Sequence, residues 1–205
     1  MPGRPPRLTR PTAAVALALT LALGSGCSAD PTDEAAPAAS EPTSSSPSAS
    51  PAEPAVPVVR TRTRTGSVTG RIPKDTRKVV VHRVSGVVDE WLEAAYVGGT
   101  YPRTTFRRSW PGFTSGATRT ARGDRDLMSN ADLGERIDGV TVKRREITVD
   151  LLAVAGTARA ATARVHLTFT TSGTERKVTV TGRLFLTRKN ARWRVFGYDV
   201  AKARV

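Results

Sequence analysis

The sequence predicts an α+β domain in which a long amino-terminal helix and several short helices pack on a curved antiparallel sheet of four strands. Three observations carry this expectation. Apolar residues recur at three- and four-residue steps between residues 80 and 96, which is the spacing of one helix face. Beyond Glu146 the pattern switches to strict alternation in four stretches separated by turn residues, which is the signature of half-buried strands. Between the two lies an aromatic segment interrupted by Pro102, Pro111 and Gly112, where only short elements fit. Helices followed by strands, rather than alternating with them, define the α+β class.

The chain of 205 residues supplies one domain of ordinary size and tails. Its first 26 residues open with Arg4, Arg7 and Arg10. The run from Ala13 to Leu23 follows, with Thr20 its only polar residue, and then Gly24, Ser25 and Gly26. A basic start, an apolar centre and a small-residue end make a secretory signal peptide. Eleven residues are too few to span a bilayer, which takes about 20. Cys27, the single cysteine, comes next and rules out an intramolecular disulfide or a multi-thiolate zinc site.

The stretch Leu23-Gly24-Ser25-Gly26-Cys27 resembles the lipobox of bacterial lipoproteins. The resemblance implies cleavage between Gly26 and Cys27 and attachment of a diacylglycerol to the Cys27 thiol. It also implies a place on the outer face of the cytoplasmic membrane, the unlipidated alternative being a secreted protein. Gly24 departs from the favoured pattern, since the preferred leucine stands one place further back, at Leu23. Two acyl chains give stable anchoring where one is marginal. From Ser28 to Pro57 the chain is built of Pro, Ser and Ala with five acids and no base. Such a stretch buries too little surface to offset its ordering entropy and is expected to be a disordered tether. The expected organisation is thus a signal peptide over 1–26, a lipidated Cys and tether over 27–57, and a domain over 58–205.

Charge divides along the same lines. The signal holds three arginines and no acid, so with a total of +14 and five acids in the tether, residues 58–205 carry +16. The domain begins "VVRTRTRTGSVTGRIP", whose alternating Arg60, Arg62 and Arg64 suit an edge strand or an extended arm. The helix follows, with Val80, Val84, Val87, Val88, Trp91, Leu92, Ala95 and Tyr96 on one face, Asp75 as its N-cap and Gly98-Gly99 as its terminator. Gly86 costs helix propensity and is read as a point of close packing. In the aromatic segment Thr114 is expected to cap a helix running through Arg119 towards Leu127. The strands centre on Ile147–Leu151, Val165–Phe169, Val178–Leu186 and Trp193–Val200, with "TSGTE" and "RKNA" as turns and Gly197 as a bulge.

The helix over 75–97, the aromatic segment and the meander ending "WRVFGYDV" look like the nuclear transport factor 2-like superfamily, or cystatin-like roll, over about residues 66 to 201. Small actinobacterial secreted and lipid-anchored proteins often resemble it. The resemblance implies a conical cavity; Trp91, Tyr96, Trp110 and Phe113 are candidates to line it, but such rings dominate cores, and a core between helix and sheet is the favoured reading of them. In its enzymes that cavity holds an Asp or His as general base, and in many members it only binds or scaffolds. The fold does not decide between these.

His82, His166, Asp150 and Asp199 are the candidate bases. His82 lies off the apolar face of its helix, and His166 alternates opposite Val165 and Leu167, so both histidines are expected at the surface. Among so many arginines, Asp150 and Asp199 are expected in structural ion pairs. No serine stands in a nucleophile-elbow pattern and no glycine-rich phosphate loop follows a strand. The residues therefore point to a non-enzymatic binding or scaffolding domain without cofactor or metal. An enzyme or small-ligand carrier using the cavity is the alternative. The expected partners are the membrane through Cys27 and anionic envelope polymers or a protein; predicted export removes intracellular nucleic acid.

Overall fold

A computed structural model describes residues 59–174 and 176–204, so the signal peptide, Cys27 and the tether lie outside the described residues. The elements run β1 (Arg62–Thr69), α1 (Lys74–Leu92) with a π-helical turn (Glu93–Val97), α2 (Ser115–Gly123), α3 (Arg125–Met128), β2 (Gly139–Val154), β3 (Thr157–Ser172), β4 (Arg176–Lys189) and β5 (Arg192–Arg204). Mixed helix and sheet content of this kind is α+β. The sheet has five strands, not four, in the order β1-β2-β3-β4-β5. The extra strand is the Arg/Thr arm, which joins the edge parallel to β2, with Arg62 opposite Glu146 and Arg64 opposite Thr148. Its period of two signalled an extended chain but carried no information on what it would pair with.

β2 to β5 form an antiparallel meander. Two of its connections are two-residue turns with both residues left-handed, Ala155-Gly156 at φ 48° and 76° and Asn190-Ala191 at φ 51° and 61°. Primed turns of this type match the twist of the flanking strands. Near the expected bulge the β4–β5 register shifts: Phe185 pairs with Gly197 but Leu186 with Val195, which leaves Phe196 as the extra residue.

Alternation puts Ile147, Val149, Leu151, Val165, Leu167, Phe169, Val178, Val180, Leu184 and Leu186 on one sheet face, all buried. Against them α1 presents Val84, Val88, Trp91 and Leu92, each 0% exposed, and a single apolar cluster results. The last turn of the helix is π-helical, closed by Gly98 N–H donating to Glu93 O at 2.8 Å.

Two local expectations at α1 are corrected. The N-cap is Pro73, not Asp75, and its carbonyl accepts from Arg77 N–H at 2.9 Å; Asp75 sits in the first turn, where a carboxylate favours the helix dipole instead. Gly86 is not a close-packing point, because no atom lies within 4 Å of where its Cβ would be. Thr114 does cap α2, accepting from Ala117 N–H at 3.3 Å, but that helix stops at Gly123 and α3 begins anew at Arg125.

Candidate functional site

The four aromatic residues read as core, or alternatively as cavity lining, are all buried. Trp91 and Tyr96 meet edge to face at 5.5 Å, Trp91 and Phe113 at 6.2 Å, and Tyr96 and Phe169 at 6.4 Å. The polar ends of Trp91 and Tyr96 are used internally, whereas Trp110 Nε1 is buried without a hydrogen-bond partner. Trp91 Nε1–H donates to Met128 O at 3.3 Å and Tyr96 O–H to Leu127 O at 2.5 Å. Burial holds the Tyr96 hydroxyl well above its usual range, with Asp132 adding to the effect. Trp110 stands apart from this cluster's centre, at the edge of a shallow cleft with Phe106, Arg107, Arg122, Arg125 and Glu135. The aromatic set thus fills the space between α1 and the sheet.

The candidate bases are dispersed. His82 is exposed on α1, and His166 is half-buried on the opposite face of the sheet, with Nε2 3.3 Å from Thr168 Oγ1. Asp150 is engaged in structure through one carboxylate oxygen. Its Oδ1 accepts from Ser67 N–H at 2.7 Å, from Ser67 Oγ at 3.1 Å and from Arg164 at 3.0 Å. These bonds anchor the irregularity in β1 between Thr65 and Val68, and a Cβ on Gly66 would stand 2.0 Å from the same oxygen. Asp199 is exposed, directly across from Arg183 on β4.

Two buried cations matter more to the architecture than any of these. Arg145, with 8% of its side chain exposed, donates from Nη1 to Glu93 Oε2 at 2.8 Å and from Nη2 to Asp89 O at 2.6 Å. Its Nε lies 2.7 Å from Asp89 Oδ1, an ion contact without hydrogen-bond alignment. Thr61 Oγ donates to the same Asp89 oxygen at 2.6 Å, so one arginine ties β2 to the end of α1 and indirectly to the chain entering β1.

Lys202, 3% exposed, donates to Asp126 O, Ser129 O and Asp132 Oδ1 at 3.0, 2.7 and 2.6 Å. It holds the α3 segment against β5. Burial pulls its pKa down while Asp132 opposes the fall. The alternation held the clue to both residues: Arg145 shares parity with Ile147 and Val149, and Lys202 with Tyr198 and Val200.

The concave surface of greatest chemical interest is a cleft of about 540 Å³ between α1 and the start of β5. His82, Arg83, Glu90, Arg192 and Arg194 line it, and the missing side chain of Gly86 keeps it open. Its chemistry is that of an anion-attracting depression, with one acid among the bases and no nucleophile on its wall. Among the described residues no group of three or more His, Cys, Asp or Glu gathers to hold a metal ion, and no helix is long and apolar enough to cross a membrane.

Comparison with known proteins found no family model, curated protein or solved structure that matches the chain.

Proposed function

We propose that this protein is a lipoprotein held at the outer face of the cytoplasmic membrane by Cys27, and that its domain binds or scaffolds a partner there without catalysing a reaction. The anchoring half of the reading rests on the order of basic, apolar and small residues that ends at the lone cysteine. The observation that carries the non-catalytic half is the packed interior. Trp91 and Tyr96, which would line a cavity, are 0% exposed and in van der Waals contact with one another and the sheet. Asp150, the most bonded of the candidate bases, lies on the sheet face turned away from that interior, with its Oδ1 tied to Ser67 and Arg164. A general base needs a free lone pair within reach of a substrate proton.

The domain is also proposed to be a cystatin-like roll of the nuclear transport factor 2-like kind. The element order supports this, as do the register shifts in β2 and β5, where bulges would bend the strands. A small-ligand carrier is the second reading, and the cleft beside Gly86 favours it over an interior cavity.

The test is phase partition of cell extracts. Wild-type protein enters the membrane fraction and the detergent-rich phase, whereas Cys27→Ala appears in the aqueous phase. Identical partition of the two proteins would reject the anchor.

A further inference from the structure

The sheet face turned away from α1 carries no covering layer among the described residues, and its composition is uneven. At the end nearest the β2–β3 turn it exposes Leu152 (45%), Val154 (54%) and Phe196 (53%). Phe185 joins them, its ring 6.4 Å from that of Phe196. Register links these residues across the strands: Leu152 pairs with Ala160 and Ala160 with Thr187, while Thr162 pairs with Phe185. The rim of this patch is mainly basic, with Arg159 and Arg164 on β3 and Arg183 on β4. Arg164 and Arg183 stand directly opposite one another, each with a carboxylate neighbour, Asp150 3.0 Å from Arg164 and Asp199 opposite Arg183.

We infer that this face, Leu152, Val154, Phe185 and Phe196 within a rim of arginines, docks the domain onto an anionic lipid bilayer. The inference rests on the reading that Cys27 anchors the protein to that membrane. An apolar centre inside a cationic rim complements the acyl boundary and the phosphate headgroups together, as membrane-surface helices do. A soluble polyanion would use the arginines but leave the apolar residues in water. A second copy of the chain is the competing occupant, and a shift that follows protein concentration without vesicles would identify it. Weak docking suffices for an anchored domain, because a tether of this length holds it at an effective concentration of about a millimolar.

The lone cysteine provides the test. In the full chain with Cys27→Ala, which carries no lipid, a cysteine introduced at position 196 (Phe196→Cys) or at position 82 (His82→Cys) takes a single environment-sensitive fluorophore. Vesicles of phosphatidylcholine with 30% phosphatidylglycerol supply the surface. The probe at 196 is expected to shift to shorter wavelength on these vesicles, less so at high salt and not on pure phosphatidylcholine, while the probe at 82 stays unchanged.

Leu152→Thr with Val154→Thr, read with the same probe, should weaken binding about 25-fold, each half-exposed side chain contributing about a factor of five. Arg159→Gln with Arg183→Gln should weaken it by a similar factor, at about fivefold per charge. Four results would overturn the inference: a shift at 82 instead of 196, no shift at either, an equal shift on neutral vesicles, or a shift at 196 that follows protein concentration without vesicles. Because these proteins lack Cys27, such a failure leaves the lipid anchor untouched, and failure of the anchor leaves the vesicle result standing.

Discussion

Arg144 and Arg145 are adjacent, both arginines, and each lies within 2.8 Å of a carboxylate oxygen, yet only one should matter to stability. Arg144 meets Glu146 at 2.7 Å with 53% of its side chain in water. Arg145 points to the other side of β2, is 8% exposed, and serves Asp89 and Glu93 together.

Arg145→Met keeps the aliphatic bulk but removes the second donor to Asp89 O, which keeps Glu93 N–H, and leaves both carboxylates without their counter-charge. Removing one member of a wholly buried ion pair costs about 3–5 kcal/mol. Here Asp89 and Glu93 are 40% and 53% exposed and regain water, so a cost of about 2–3 kcal/mol is expected. For a domain of this size that lowers Tm by roughly 5–10 °C.

Urea unfolding of the unlipidated full chain, followed by tryptophan emission, measures the change. Arg145→Met should shift the midpoint at unchanged m, and Arg144→Met should leave the midpoint within error. Equal midpoints for the two variants would refute the claim that the buried arginine ties α1 to the sheet.

Three further outcomes follow from the same structure. Gly66→Ala drives a methyl onto Asp150 Oδ1 and should cost about 1–3 kcal/mol by overpacking, read as a lowered urea midpoint; an unchanged midpoint would mean that β1 does not sit on Asp150 as described. Thr114→Ala removes the α2 cap and should cost about 1 kcal/mol in the same assay, with Thr114→Ser restoring most of it. Burial raises the pKa of both Tyr96 and Tyr198, and the hydrogen bond from Tyr198 to Asp124 adds to the second shift. A raised folded-state pKa contributes stability that is complete below the unfolded value near 10 and is lost as pH rises above it. Absorbance at 295 nm should therefore show Tyr96 and Tyr198 ionising only on unfolding; both appearing as tyrosinates in the folded state would contradict the burial.

Periodicity made the core face of α1 and the four meander strands legible, because burial on one side leaves a trace at every second or every third and fourth residue. Val84, Val88, Trp91 and Leu92 are where the helical spacing put them. The parallel pairing of β1 left no such trace, since pairing partners are chosen by the rest of the fold and "RTRTRT" is polar throughout. Asp75 was misplaced as a cap because a good capping side chain lost to Pro73, whose fixed φ already suits a helix entrance. Gly86 was misread because a glycine opening a cleft and a glycine admitting a neighbour look alike in a sequence. The parity of Arg145 and Lys202 marks both as inward-facing, and a charge at a core position is uncommon. Phe196 became interpretable only once the bulge put an extra residue on the outer face.

The account depends most on Cys27, and intact-mass measurement of protein extracted from membranes tests it directly. The wild-type chain should begin at Cys27 and carry the added mass of a diacylglyceryl group, while Cys27→Ala should lack that mass. A wild-type chain without added mass, beginning at Ser28 or elsewhere, would contradict the account.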